Sequence, residues 1–365
     1  MQLRVPGPTP CPDDVLQSMT RQMVDHRGAE FMDLAQRVTR KLKGIFQTQG
    51  DILTLTASGT GGLEAAVVNT LSPGDKVLSV SCGVFGDRFA TVAEKYGAEV
   101  VRLRFEWGKA ADPDQVHRML QSHMDIKAVL VTHNETSTGV TNDLAPICRM
   151  VKEFDKLLLV DAVSSLGAID LPTDEWSCDV VISASQKGWM APPGLAMVSV
   201  SQRAWEAERS ATMPRFYFDL NKAKAFLDKG QTPWTPAVPL FYALDVALDG
   251  MNVEGLPNIF ARHSRIASMT REGVKRFGLS LFADEDYASN VVTAVKTPEG
   301  MNVKELRKLL KEEHGIVLAG GQQKLSGHIF RIAHLGLVNE ADMEQVLTGL
   351  SLALPKLGFS PDKTL

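Results

Sequence analysis

The chain has 365 residues, 44% of them hydrophobic, with a formal net charge of −4 and a mean hydropathy of −0.05. This is the balance of a globular protein with one large domain and one smaller, and the lack of any Lys/Arg block speaks against nucleic acid or an anionic membrane as partner. No apolar run approaches the roughly 20 residues that span a bilayer, and the start, MQLRVPGPTP, has neither the charged nor the apolar region of a signal peptide, so a cytoplasmic protein is expected. Cys11, Cys82, Cys148 and Cys178 are far apart and form no CxxC pair, which predicts reduced thiols and neither a zinc site nor a disulfide framework.

From about Asp51 to Val200, short apolar runs alternate with amphipathic stretches, a rhythm that predicts an α/β fold with a mostly parallel sheet covered by helices. Strands are expected from Ile52 to Thr56, Lys76 to Ser81, Glu99 to Leu103, Ala128 to Thr132, Leu157 to Val160, Val180 to Ser183 and Leu195 to Val200. Leu144, Ile147, Met150, Val151 and Phe154 fall at helical spacing, with Asn142 or Asp143 as the expected cap. The stretch from Ser201 to Pro239, rich in aromatics, proline and charge, reads as an irregular connection rather than as core. Beyond it the pattern predicts a compact α+β unit. Its parts are a long helix near Ile259 to Phe277, a strand near Asn290 to Val295, a helix introduced by Asn302, strands near Ile316 to Ala319 and Ile329 to Ala333, and a last helix capped by Asn339. The expected division is an N-terminal arm over 1–20, a large domain over 21–255 and a small C-terminal α+β domain over 256–365.

Ligands of a parallel α/β sheet bind beyond the carboxyl ends of its strands, which directs attention to the residues just after each apolar run. After the first comes Ser58-Gly59-Thr60-Gly61-Gly62, a glycine-rich turn opening a helix, whose free N–H groups suit a phosphate but which is equally a plain tight turn. Phe85 lies between glycines after the second, placed to stack on a flat ring or to serve as core. His133-Asn134-Glu135-Thr136 follows the fourth. Thr136 can hydrogen-bond a ring substituent, whereas His133 alone reads as a satisfied structural histidine. Asp161 ends the run Leu157 to Val160 and alone would serve as a helix cap, and Lys187 follows the run Val180 to Ile182, where a long cation is rarely found without a partner. Asp and Lys at two strand ends match the needs of pyridoxal phosphate, which takes a lysine for a Schiff base and an acid to keep its ring nitrogen protonated.

In chain order, SGTGG-LEAA, CGVFGDR, THNETSTGV, LLLVDAVSSLGA, SASQKGWMAPPG and FRIAHLG resemble the class V, fold type I, pyridoxal phosphate aminotransferases, in particular the alanine:glyoxylate and serine:glyoxylate (serine:pyruvate) branch. The resemblance implies a fold type I transferase with a large sheet domain and a smaller C-terminal α+β domain, acting by ping-pong exchange of an amino group. By motif, Lys187 resembles the Schiff-base lysine, Asp161 the partner of the ring nitrogen, and Phe85 the stacking aromatic. Gly59, Thr60 and Gln186 resemble phosphate ligands, Thr136 the hydroxyl near the ring oxygen, and Val163 a further cofactor neighbour. Arg331 resembles the arginine that pairs with the substrate carboxylate, and Thr235 a phosphate-binding threonine donated across a homodimer whose active sites are shared. No metal is implied.

Thr60 stands where animal members have a histidine, Thr232 where some have a tyrosine, and Phe85 where Trp is usual. Arg27 is expected as a solvated surface arginine, with contact to a substrate side group as the alternative. With only Arg331 assigned to a carboxylate, the pocket is expected to take alanine or serine as donor and glyoxylate or pyruvate as acceptor. An acidic donor, aspartate or phosphoserine, would need a second cationic partner. The alternatives are that acidic-donor enzyme, or an accessory subunit that keeps the fold without catalysis. A cysteine desulfurase would need a nucleophilic cysteine in the C-terminal half, and none follows Cys178. A nucleotide-binding Rossmann protein would account for the GTGG turn but for neither Asp161 nor Lys187.

Overall fold

The computed structural model describes residues 1–359. Strand β1 (Gln2–Arg4) and helices α1 (Asp13–Ser18) and α2 (Ala29–Phe46) open the chain. In α2, Phe31, Leu34, Val38, Leu42 and Ile45 recur at helical spacing and are buried, so one face packs on the core.

The alternating region follows as β2 (Asp51–Thr56), α3 (Gly59–Thr70), β3 (Lys76–Ser81), α4 (Val84–Lys95), β4 (Glu99–Arg104), α5 (Pro113–Ser122) and β5 (Ala128–Thr132). It continues through a short hairpin of β6 (Asn134–Glu135) and β7 (Val140–Thr141), then α6 (Leu144–Glu153), β8 (Leu157–Asp161), β9 (Val180–Ala184) and β10 (Leu195–Val200). Seven strands form one sheet in the order β2-β10-β9-β8-β5-β3-β4, in which β10 runs antiparallel to both neighbours and the other pairings are parallel.

Every residue of β5, β8, β9 and β10 is buried, the condition of a sheet covered on both faces. Alternate residues feed opposite layers. Val129, Val131, Leu158 and Val160 join one apolar cluster, and Ala128, Leu130, Leu157 and Leu159 join the other. Because β2, β3, β5, β8 and β9 share one direction, the polar segments that follow them gather along a single edge of the sheet.

The stretch after β10 corrects the expectation of an irregular connection. It contains α7 (Gln202–Glu208) and α8 (Leu220–Leu227), each started by a side-chain cap: Ser201 accepts from the Ala204 N–H and Asp219 from the Lys222 N–H. Ala204, Trp205, Met213, Leu220 and Ala223 are buried in the core there. The cap expected for α6 is also corrected. Asp143 occupies the N-cap position without a side-chain bond. Asn142 instead accepts from the Ala111 N–H at 2.7 Å and donates to the Thr132 carbonyl at 2.8 Å.

Helices α9 (Val238–Glu254) and α10 (Leu256–Arg276) lead to β11 (Val292–Lys296), α11 (Val303–His314), β12 (Ile316–Gly320), β13 (Ile329–Ala333) and α12 (Glu340–Lys356). Asn302 caps α11, and Asn339 forms a reciprocal capping box with Asp342 at α12. These strands make a second sheet, ordered β1-β12-β13-β11, so that the first strand of the chain completes the C-terminal sheet.

Candidate active site

Asp161 is the last residue of β8, and Lys187 lies in the turn beyond β9; the two strands are parallel neighbours. Both residues line a cavity of about 140 Å³ together with Gly59, Thr60, Phe85, Thr136, Val163 and Gln186. Eight residues singled out in the sequence thus face one space.

Burial pushes Lys187 down to about 8; Asp161 resists this, while Arg331 and Arg88 assist it. Its amino group donates to the Pro6 carbonyl, and the Thr9 hydroxyl donates to the Lys187 carbonyl at 3.0 Å, so the N-terminal segment lies against the lysine. Burial likewise pushes the Asp161 carboxyl up to about 6, opposed by the Val163 N–H, which donates to its Oδ1 at 3.0 Å. Each group is held near the point where it changes charge at physiological pH.

Helix α3 begins on the same cavity, at Gly59, with no side-chain cap on its N–H groups. A Cβ at Gly59 would stand 2.7 Å from Cγ2 of Val163, so only glycine lets the helix start come this close to the wall beside Asp161. Uncapped N–H groups at a helix N-terminus are a ready site for a phosphate. Gln186 lines the same cavity, and its buried amide oxygen has no partner.

Two predicted site residues stand outside the cavity lining. Arg331, in β13, is buried and donates to the carbonyl oxygens of Gly320 at 2.9 Å and Thr136 at 2.8 Å. Burial pushes its guanidinium down to about 10, which leaves it charged at neutral pH. Thr235 is exposed and apart from the cavity of its own chain.

Arg27 is not a solvated surface arginine. It donates to the carbonyls of Thr232 at 2.6 Å and Pro233 at 3.1 Å and lies over the Phe226 ring, fastening the segment before Thr235. His133 is buried as expected, but its Nδ1 has no partner, and burial pushes the ring down to about 4.

Three contributors were missed. Arg88 lines the cavity, with its guanidinium over the Phe85 ring at 4.8 Å and 3.5 Å from the Thr60 hydroxyl. It follows Phe85 by three residues on α4, a spacing that could have revealed it. Asn134 and Ser164 also line the cavity and exchange hydrogen bonds: the Asn134 amide donates to the Ser164 hydroxyl, which donates to the Asn134 carbonyl, both at 2.9 Å.

A buried lysine, a buried aspartate and the uncapped N–H groups of a helix start, all on one cavity, fit an aromatic aldehyde with a pyridine nitrogen and a phosphate. A mostly parallel sheet with that pair at neighbouring strand ends defines the fold type I, pyridoxal phosphate-dependent transferases. The chain belongs to the aminotransferase class V family, whose model matches residues 3–338. A protein of Synechococcus sp. named soluble hydrogenase, small subunit, is 47% identical over 98% of this chain and 94% of its own length. The serine–glyoxylate aminotransferase of Methylorubrum extorquens is 37% identical over 96% of this chain and 90% of its own. The crystal structure of the alanine–glyoxylate aminotransferase of Nostoc sp. superposes with a TM-score of 0.93, at 31% identity, covering 96% of this chain and 94% of that one. No helix among the described residues is long and apolar enough to cross a membrane.

Proposed function

We propose that this protein carries pyridoxal 5'-phosphate on Lys187 and moves the amino group of a small amino acid, alanine or serine, to glyoxylate or pyruvate. The observation that carries the reading is the convergence of Lys187, Asp161 and the open start of α3 on one cavity, with Arg331 fastened to the adjoining loop.

When bound, the cofactor supplies an electron sink that makes the substrate α-proton removable. Nζ of Lys187, brought toward neutrality by burial, is the base that takes this proton and later returns it. Asp161, aimed by the Val163 N–H, holds a proton on the ring nitrogen. Gly59, Thr60 and Gln186 would hold the phosphate, Phe85 would offer its ring to the pyridine, and Val163 and the Thr136 hydroxyl would be its further neighbours, as their places in the cavity lining support. Arg331 pairs with the substrate carboxylate and sets the orientation of the bond to be broken.

The protein acts as a homodimer in which Thr235 completes the phosphate site of the partner chain; its exposure outside its own cavity supports this. The chain divides into an arm over 1–20, a large domain over 21–255 and a small domain from 256, a division supported by the separate apolar cluster built around Phe330 and Leu350. Cytoplasmic location is the companion inference.

Two other readings each have one observation behind them. An acidic donor is favoured by Arg88, a second guanidinium at the cavity, which removes the premise that Arg331 is alone. Arg88 stands at the Thr60 end and covers Phe85, which keeps the small-donor reading ahead. An accessory subunit is favoured by the name of the Synechococcus relative, but a scaffold has no use for Lys187, Asp161 and Arg331 together. One experiment separates all three: mix the yellow holoprotein with single amino acids and record which of them bleach its visible absorption. Bleaching by alanine and serine supports the proposal, bleaching by aspartate, glutamate or phosphoserine alone transfers it to the acidic donor, and no bleaching by any of them leaves the accessory subunit.

A further inference from the structure

Of the buried acids that the mechanism above leaves unused, one adjoins residues of the cavity lining. Glu135, at the end of β6, is fully buried, and burial pushes its carboxyl up from the ordinary range. A carboxylate without solvent must find donors, and Glu135 finds four. Its Oε2 accepts from the backbone N–H groups of Phe85 at 2.9 Å and Gly86 at 3.1 Å. Its Oε1 accepts from the N–H of Ser137 at 3.1 Å and from that residue's hydroxyl at 2.6 Å. The Ser137 hydroxyl in turn accepts from the Val84 N–H at 3.0 Å.

The first turn of α4 is therefore held by a side chain from another strand, some 50 residues along the chain. Helix N-termini are usually capped by the residue just before them, but here that residue is Gly83, which has no side chain to offer. The glycine is required by the arrangement, since a Cβ on it would stand 2.4 Å from Cδ of Glu135 and 2.6 Å from the Ser137 hydroxyl. Moreover, the residue after Glu135 is Thr136, whose carbonyl receives Arg331. One loop thus fastens both the cavity-lining aromatic ring and the arginine of β13.

We propose that Glu135 is a positioning residue for the transamination: by holding the backbone of Phe85 and Gly86 it sets the Phe85 ring against the cofactor. The inference rests on the function proposed above, and it assigns Glu135 no contact with cofactor or substrate.

The test is a double-mutant cycle read in cofactor affinity and in the circular dichroism of the bound chromophore, neither of which depends on turnover. Apoprotein is titrated with pyridoxal phosphate for wild type, Glu135→Gln, Phe85→Leu and the pair. Losing one charged acceptor of two backbone bonds should raise the dissociation constant roughly tenfold in Glu135→Gln. The visible dichroism should shrink as the ring loses its fixed stacking partner. Because Glu135 acts through Phe85, the double variant should be little worse than Phe85→Leu alone. Glu135→Asp, which keeps the charge, should recover part of the affinity. If Glu135→Gln fails to fold, Ser137→Ala, which removes the support of Val84 and one of the four donors to Glu135 but leaves the bonds to Phe85 and Gly86, is carried through the same cycle with a smaller effect. Multiplicative losses in the double variant, or wild-type affinity and dichroism in Glu135→Gln, would overturn the inference while leaving the function in place. A wild-type apoprotein that binds no pyridoxal phosphate would overturn both.

Discussion

The Arg331 guanidinium donates to the Thr136 carbonyl at 2.8 Å, joining β13 of the C-terminal sheet to the loop of the β6–β7 hairpin across 195 residues of chain. With Gly320 accepting from its Nε, the side chain is fixed before any substrate arrives, so little conformational entropy remains to be lost on binding.

Replacing Arg331 by Ala should raise the Michaelis constants of donor and acceptor alike by about 10- to 100-fold, the range of a charge-assisted pair. Turnover should fall as well, through lost orientation, while cofactor affinity changes only a few-fold. Arg331→Lys should rescue little, because an ammonium cannot span two carbonyls and a carboxylate with a planar fork. Steady-state kinetics with alanine and glyoxylate would decide it, and unchanged Michaelis constants would remove Arg331 from the substrate site.

The proposed attachment of pyridoxal phosphate at Lys187 needs the neutral amine, held near 8 by burial. The rate at which apoprotein takes up pyridoxal phosphate should therefore rise with pH and level off above about 8, rather than climbing toward 10.5. Between those values the unfolded chain keeps a proton that the folded one has released, so the Lys187 contribution to stability grows as pH rises through the window. Borohydride reduction and peptide mapping should find the label on Lys187, and Lys187→Ala should keep the fold but not the activity. A label on any other lysine refutes the assignment.

Asp161 bears the opposite cost. Its carboxyl titrates near 6 when folded against an ordinary 3.8, so the folded apoprotein is penalised by its charge, fully so above about pH 6, by at most ~3 kcal/mol. Asp161→Asn should make the apoprotein melt higher at pH 7.5 and should lose that advantage at pH 4. Turnover should collapse because an amide cannot hold the ring nitrogen protonated. Differential scanning calorimetry at the two pH values checks the first claim, and near wild-type turnover would defeat the second.

Thr235, if shared across a dimer, permits complementation. Lys187→Ala and Thr235→Asp chains, each inactive alone, should regain activity when unfolded and refolded together, since one site of every mixed dimer is intact. About a quarter of the wild-type sites should return at equal mixing. Absence of any recovery in a mixture shown by mass spectrometry to contain mixed dimers would place Thr235 outside the partner's site.

What the sequence by itself determined is the sheet and the residues at its edge. Leu157 to Val160 and Val180 to Ile182 are unbroken apolar runs because strands covered on both faces need no alternation, and the polar residues that end them must lie where ligands bind. Asp161, Lys187, Phe85 and Gly59 were legible for that reason. Tertiary structure alone decided the rest, because its causes are far apart in the chain. The reach of Glu135 to α4 gives no local signal, as the two donors it holds there are backbone N–H groups some 50 residues away. Arg27 reads as surface until the carbonyls of Thr232 and Pro233 close around it. The helices between Ser201 and Pro239 were hidden by composition, though the caps Ser201 and Asp219 were in plain view. The pairing of β1 with β12 joins the two ends of the chain, and hydrogen bonding between backbones carries no side-chain pattern from which such a register could be read.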